Sequence, residues 1–511
     1  MCPSDDPSFD SPAAAPVELG GGQDAELPLC VDLDGTLLLG DSLHELVLAC
    51  LAKQPLLIFL LPFWALRGKA ALKDRLARQL DPASLSFVFN EPFLAFLQAE
   101  HARGRRLVLA TAADYRIAAA VAARTGLFDE VMATTPDRNL RGAAKTRRLV
   151  EAFGRRGFDY AGNDRHDLPV WSQARAAIVV AAPGSRIAAQ AAALAPVERV
   201  FPGAGLAMKP LLHAMRPHQW AKNALVFLPL IAAHRFTEAA PLGQAILAFV
   251  ALSLVASAGY LVNDLLDLQA DRSHARKRSR PLASGALPVA AALPAIGLLL
   301  AGGLAAAAAV SLQLVAWIVL YLALTLTYSL WLKRKVLIDV FLLAGLYTHR
   351  ILAGAIATGI APSFWLLALS MFFFLSLAML KRYSELVGTL NLPGQEQRPG
   401  GRGYRPEDLD TLGALGAASG FSAVFVLALY IESENVRHLY RTPEVFWLCC
   451  PLLLYWISRM WIGARRGKID DDPLVFALRE RVSLMVLGLI LVLAGASATL
   501  DLRCLALDHC P

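Results

Sequence analysis

The chain has 511 residues, 56% of them hydrophobic, and a formal net charge of +7. A mean hydropathy of +0.48 excludes an ordinary soluble protein. The apolar residues are unevenly spread, so one water-soluble part and one membrane part account for the length better than several soluble domains. A basic balance suits nucleic acid, anionic lipid or phosphorylated substrates, but Lys and Arg gather on the cytoplasmic loops of membrane chains for topological reasons. Nucleic acid is therefore not expected as a partner.

Residues 1–26 are rich in Asp, Ser, Pro, Gly and Ala and lack a basic stretch followed by an apolar core. They read as a disordered tail without a signal peptide, which predicts a first domain in the cytoplasm. Residues 27–200 read as an α/β domain. An apolar run ends at Leu33, and further strands are expected at 106–111, 158–161 and 177–182, with helices at 115–124, 145–155 and 169–174. Strand–helix alternation predicts a parallel, Rossmann-type sheet. Residues 42–100 read as helical, a cap over that sheet. Within them, Pro55 to Trp64 is apolar but too short to span a bilayer. It reads equally as a buried cap helix or as a membrane-facing patch.

Asp32-Leu33-Asp34-Gly35-Thr36 follows the first strand. Two carboxylates at a strand end, before a Gly-Thr turn, suit phosphoryl transfer: one can attack phosphorus, the other can move a proton, and both can bracket Mg²⁺. Thr111 at the second strand end and Lys145 at a helix start can hold phosphate oxygens. Gly162-Asn163-Asp164 and Asp167 follow the third strand and add oxygen ligands. These four elements in order resemble the haloacid dehalogenase superfamily, and the helical insert resembles its phosphoserine-phosphatase-like subgroup. The resemblance implies Asp32 as nucleophile and Asp34 as general acid/base. Thr111 and Lys145 would bind phosphate, Asp32, Asp34 and Asn163 would serve the metal, and Asp167 would support the metal or the lysine. Asn163 stands where that family usually has Asp, which lowers the ligand charge.

From Leu206 onward apolar segments follow one another, near 224–234, 243–262, 286–308, 311–331, 336–357, 363–380, 411–431, 443–462 and 482–500. By length these are about nine transmembrane helices, the first being the shortest. Arg272 to Arg280, Lys333 to Lys335, Lys381, Arg382, Arg402, Arg465, Arg466 and Lys468 fall on alternate loops, which the positive-inside rule assigns to the cytoplasm. The intervening loops carry mixed charge, including Glu432, Glu434 and Arg437. The C-terminus is then expected outside, where Cys504 and Cys510 could pair.

At the end of the second apolar segment, Asp264, Asp267 and Asp271 are spaced i, i+3, i+7 behind Asn263 and are expected to share one helix face that His274 and Lys277 continue. Such acids repel unless a cation lies between them, and Mg²⁺ on a diphosphate is the natural partner. Arg280 before Pro281 marks the expected helix end. The run N-D-x-x-D-x-x-x-D-x-x-H-x-x-K-x-x-R-P, with Tyr328 to Lys333 and Ile338-Asp339, resembles the UbiA superfamily of membrane prenyltransferases across roughly residues 206–511. It implies an all-α multi-span bundle with a Mg²⁺-diphosphate site, a polyprenyl lipid substrate and a diphosphate donor.

Where aromatic prenyltransferases carry a second acid pair, this chain has Lys381-Arg382-Tyr383-Ser384-Glu385. Arg350 lies inside a span and requires an anion. These departures resemble the decaprenylphosphate phosphoribosyltransferase branch, which moves ribose 5-phosphate from phosphoribosyl diphosphate to a polyprenyl phosphate. Asp264, Asp267 and Asp271 would then hold Mg²⁺-diphosphate. Lys222, Asn263, Lys277, Arg280, Lys333, Arg350, Lys381, Arg382 and Glu385 would surround the phosphates. The rival expectation is prenyl transfer to an aromatic acceptor beside an inactive or regulatory first domain. The acid–base cluster from Arg466 to Pro473 could close over the active site or be a solvated loop, and the solvated loop is the preferred reading. The chain thus divides into a tail (1–26), a phosphatase-like domain (27–200) and a transmembrane domain (201–511) of a bacterial inner membrane.

Overall fold

A computed structural model describes residues 27–500, apart from 137, 183, 204, 206–207, 391–402, 435, 437–439 and 470–471. The expectations for residues 1–26, Arg402, Arg437 and the Cys504–Cys510 pair lie outside the described residues. The chain divides into two compact units, Met1–Val47 with Phe59–Gly205, and Leu48–Ile58 with Leu206–Pro511.

The first unit holds a parallel sheet of β1 (Leu29–Val31), β2 (Leu107–Asp114), β3 (Glu130–Thr134), β4 (Asp159–Gly162), β5 (Ala177–Val180) and β6 (Val197–Phe201), in the order β3-β2-β1-β4-β5-β6. β1, β4 and β5 are buried throughout, as a sheet covered on both faces requires. β3 and β6 were not expected. The edge strand β6 is largely exposed and carries Glu198 and Arg199, so it gives little hydrophobic signal. Helices α1 (Ser42–Lys53), α2 (Leu61–Leu66), α3 (Lys69–Arg78) and α4 (Glu91–Ala102) form the insert. The crossovers and the C-terminal part supply α5 (Tyr115–Thr125), α6 (Ala143–Phe153), α7 (Leu168–Trp171) and α8 (Arg186–Ala192). Chain order changes direction between β1 and β4, so their carboxyl ends open a crevice where ligands of such sheets bind.

The second unit is helical. After α9 (Met208–Met215) and α10 (Leu228–Ala232) come α11 (Ala239–Leu266), α12 (Leu268–Ser273), α13 (Val289–Ala308) and α14 (Leu312–Leu330). There follow α15 (Ile338–Thr358), α16 (Phe364–Leu390), α17 (Leu409–Ile431), α18 (Cys449–Arg465), α19 (Pro473–Ala477) and α20 (Arg481–Thr499). Among the described residues, eight helices are long and apolar enough to cross a bilayer.

The first expected span, 224–234, is not one of them. A 3₁₀ helix, Pro217–Phe227, precedes the short α10 there. Arg216 bonds Asp264, Trp220 bonds Ser257 and Asn223 bonds Ser253, while Leu230 packs in one core with Ala245 and Ala248. The segment therefore runs antiparallel to α11 as a 3₁₀ helix followed by one short α-helix, not as a continuous span. A 3₁₀ stretch of eleven residues is unusually long and is held by its neighbours. A Cβ on Gly354 of α15 would meet the Val226 carbonyl at 1.9 Å, so the two backbones touch.

Candidate functional site

In the first unit Asp32 and Asp34 leave the carboxyl end of β1 in a turn that Gly35 makes at φ +74°. A Cβ on Gly35 would lie 2.1 Å from Asn163 Nδ2, so the Asn163 side chain rests directly on the turn. Gly142, at φ +51°, starts α6 and delivers Lys145 from its first turn. Lys145 Nζ donates to Asp32 Oδ1 at 2.8 Å and to Tyr160 OH at 2.7 Å, and lies 3.4 Å from Asp167 Oδ1. Ser42 donates to Asp34 through its backbone N–H at 2.8 Å and its hydroxyl at 3.1 Å.

Burial raises the Asp32 carboxyl to about 6, with Lys145 opposing and Asp167 adding to the shift. Burial, then Asp41 and Asp32, push Asp34 up to about 7. Lys145 is raised despite its burial, because Asp32 and Asp167 hold its charge.

One expectation narrows here and another changes. Asp167 spends Oδ1 on Lys145 and Tyr160, and Oδ2 on the backbone N–H groups of Asn163 and Asp164. Of its two expected roles it takes the one toward the lysine. Thr111 does not end its strand: β2 continues to Asp114, and the buried Thr111 hydroxyl accepts from Ala113 N–H at 3.0 Å. Lys73 was missed. Its ammonium reaches in from α3 to the Ala112 carbonyl at 2.5 Å, and nothing in its local sequence marks it. Tyr160 was missed because an aromatic in a buried strand reads as core. Asp32, Asp34 and Asn163 remain as oxygen donors converging at the ends of β1 and β4, and Asp34 has no cation paired to it among the described residues. That donor set fits a hard divalent ion.

The second unit encloses a cavity of about 550 Å³ at the end of the bundle where the basic loops gather. Among the described residues its wall carries eight Arg or Lys side chains and three acids, Asp267, Glu385 and Asp472. The helix carrying the aspartates bends at Asp267, between α11 and α12, although Asp267 and Asp271 still donate N–H bonds four residues back. Asp264, Asp267 and Asp271 thus keep their register but do not share one role. Only Asp267 lines the cavity, with Asn263 beside it donating at 3.1 Å and Lys333 at 3.1 Å. Asp264 is buried behind it, held by Arg216 at 2.6 Å and Arg280 at 3.2 Å, and Asp271 holds Arg280 at 2.6 Å. These two aim arginines rather than presenting free ligands. Helix α12 ends at Ser273, so His274 and Lys277 do not continue the face, yet Lys277 reaches the cavity from the following turn.

Lys222, Arg280, Lys333, Arg350, Lys381 and Glu385 all line the cavity. Arg382 does not. It is 1% exposed and bonds Asp339 at 2.5 Å, Glu385 and Tyr328. Arg350 is bound by neutral groups alone: Asn223 Oδ1 at 2.9 Å, the Leu346 carbonyl and Tyr321 OH at 3.0 Å.

Asp472 overturns the solvated-loop reading of its segment. It is buried and accepts from Lys222 at 2.6 Å, Lys381 at 2.9 Å and Tyr347 OH at 3.2 Å. Burial would raise its carboxyl, but Lys381 and Lys222 hold it far below the usual carboxylate range. Its neighbours Asp470 and Asp471 lie outside the described residues. Lys222 and Asp472 are 250 positions apart, so no local spacing joins them. Among the described residues, no three His, Cys, Asp or Glu side chains converge to hold a metal by themselves. Asn263 and Asp267 fit the alternative in which Mg²⁺ takes one or two protein oxygens and the rest from substrate phosphate and water.

A parallel sheet bearing a carboxylate–lysine site and a membrane bundle enclosing a cationic cavity define a two-domain membrane protein. The UbiA prenyltransferase family matches residues 224–388, and the haloacid dehalogenase-like hydrolase family matches residues 29–172. The chain belongs to the UbiA prenyltransferase family and carries a haloacid dehalogenase-like hydrolase domain ahead of its membrane helices. It is 35% identical to an uncharacterized protein, y4nM, of Sinorhizobium fredii, over 91% of this chain and 90% of that one. It is 36% identical to the nodulation protein NoeC of Azorhizobium caulinodans, over 54% of this chain and 90% of that one. It is also 36% identical to the decaprenyl-phosphate phosphoribosyltransferase of Mycolicibacterium smegmatis, over 53% of this chain and 87% of that relative.

Proposed function

We propose that the membrane unit transfers a phosphoribosyl group from phosphoribosyl diphosphate to a polyprenyl phosphate, and that the first unit removes the 5-phosphate from the product. The carrying observation is the charge of the cavity. Eight cations against three acids exceed what one prenyl diphosphate needs, and Arg350 waits inside the bundle with neutral partners only. A donor with a diphosphate and a 5-phosphate, meeting a phosphorylated acceptor, supplies that much negative charge. The likeness to the phosphoribosyltransferase of M. smegmatis supports the same reading.

Asn263 and Asp267 would hold Mg²⁺, which neutralises charge on the leaving diphosphate. Arg216 and Arg280, aimed by Asp264 and Asp271, grip the same group. Lys222, Arg350 and Lys381 receive the remaining phosphates. The acceptor's phosphate oxygen attacks ribose C1 as the C1–O bond to diphosphate breaks. In the first unit Asp32 attacks phosphorus, Asp34 protonates the departing oxygen, and Lys145 with Tyr160 and Asp167 fixes Asp32 in position. Asp32, Asp34 and Asn163 would hold the ion that screens carboxylate from phosphate. The basic loops support a cytoplasmic side for the cavity of the second unit, by the positive-inside rule.

Incubation of the purified chain with radiolabelled phosphoribosyl diphosphate and decaprenyl phosphate should give a phosphoribosyl lipid, then a lipid-linked ribose and inorganic phosphate. Transfer of a prenyl group to an aromatic acceptor, with no phosphoribosyl lipid formed, refutes the reading.

A further inference from the structure

The chain between α1 and α3 contains a feature that neither catalytic reading uses. Residues 55–59 form a 3₁₀ turn and α2 continues from Leu61 to Leu66. Leu57, Leu61 and Trp64, spaced i, i+4, i+7, turn inward, buried or half-buried. The opposite stripe is also apolar. Leu56 is 67% exposed, Phe59 70%, Phe63 66% and Leu66 85%, with Ile58 and Leu60 beside them.

A short helical segment that is apolar all round does not suit water. Six large apolar side chains exposed within eleven residues form a patch that soluble surfaces seldom carry. The charges around it point to one occupant. Between Glu45 and Asp74 the chain has no acid, whereas Lys53, Arg67 and Lys69 flank the patch, exposed. Trp64 sits at its edge with the Arg75 guanidinium 5.7 Å from its ring centre. An apolar stripe bounded by cations and an indole is the pattern of a segment lying in the lipid interface. A dozen residues cannot span a bilayer but can lie along its surface. The host membrane is already present, since the same chain carries eight apolar spans.

We infer that Pro55 to Leu66 is an interfacial anchor, seated at the headgroup–acyl boundary of an anionic bilayer with Leu56, Phe59, Phe63 and Leu66 in the acyl region. The inference stands independently of the transferase and phosphatase readings, because neither needs these side chains.

The test uses the full chain in phosphatidylcholine–phosphatidylglycerol vesicles, with a membrane-soluble diazirine photolysed in the bilayer and tryptic peptides read by mass spectrometry. Labelling of the peptide from Gln54 to Arg67 at the level of peptides from the lipid-facing helix α20 is the expected result. In Phe59→Glu/Phe63→Glu it should fall to the level of α4, with α20 labelling unchanged as the control for folding. Labelling of the wild-type peptide no greater than that of α4 overturns the inference, whatever the variant does. Crosslinking of the peptide to a second copy or to residues 1–26 in place of lipid overturns it equally.

Discussion

Arg350→Met separates a ligand-binding cation from a structural one. Arg350 is 6% exposed, and its three hydrogen-bond partners are all uncharged. A hydrogen bond to an ionised group contributes about 1.5–3 kcal/mol. Loss of that contact to a substrate phosphate should lower kcat/KM for phosphoribosyl transfer by about 10- to 150-fold. Stability should move far less. Methionine fills a similar volume and leaves Asn223 its bond to Ser253, and it also removes a buried cation whose desolvation costs several kcal/mol by itself. The apo protein should therefore melt within a few degrees of wild type, a change of about 1–2 kcal/mol at most. Phosphoribosyl diphosphate should raise the melting temperature of wild type and not of the variant. Thermal shift in detergent with initial-rate kinetics on the lipid acceptor reads both quantities. A variant that unfolds readily while its folded fraction turns over like wild type would refute the phosphate-binding role.

Asp472→Asn should destabilise the membrane unit by about 3–5 kcal/mol, because Lys222 and Lys381 lose their shared counter-charge. Added pyrophosphate should restore much of the melting temperature, whereas an equal amount of uncharged ribose should not. Asp32→Asn should lower phosphate-ester hydrolysis by roughly three orders of magnitude or more and leave phosphoribosyl transfer unchanged, read by phosphate release and lipid chromatography. Hydrolysis should be fastest between the two carboxyls, one at about 6 and one at about 7: Asp32 must be ionised to attack and Asp34 protonated to donate. Ser42 lowers Asp34 through its hydrogen bonds, so Ser42→Ala should move the alkaline limb of the pH–rate profile upward. Both acids are raised above the ordinary 3.8, so the folded unit holds more protons than the unfolded chain between there and about 7, and its stability should fall as pH rises through that window. Gly35→Ala should destabilise the first unit by about 1–3 kcal/mol in chemical denaturation, since φ +74° disfavours a Cβ that would also strike Asn163.

Local chemistry was legible where function sits in consecutive residues. The Asp32–Thr36 turn and the run from Asn263 to Arg280 announce phosphoryl and diphosphate chemistry because each needs several polar groups within a turn or two of backbone. Division of labour within such a run was not legible. Asp264, Asp267 and Asp271 look equivalent at i, i+3, i+7, but a bend at Asp267 and the approach of Arg216 turn two of them onto arginines. Asp167 and Arg382 likewise take roles set by neighbours distant in sequence, such as Lys145 and Asp339.

The sequence by itself determined the membrane class, the parallel α/β domain and the two phosphate-handling motifs, because hydropathy, periodicity and turn chemistry act over short stretches of chain. Tertiary structure alone decided that Asp472 joins Lys222 and Lys381, that Arg350 faces neutral partners, and that residues 217–232 lie along α11 as a 3₁₀ helix and a short α-helix. Those outcomes depend on which side chains meet after distant segments pack. Burial then fixes the strength of each charge, and spacing along the chain carries no record of it.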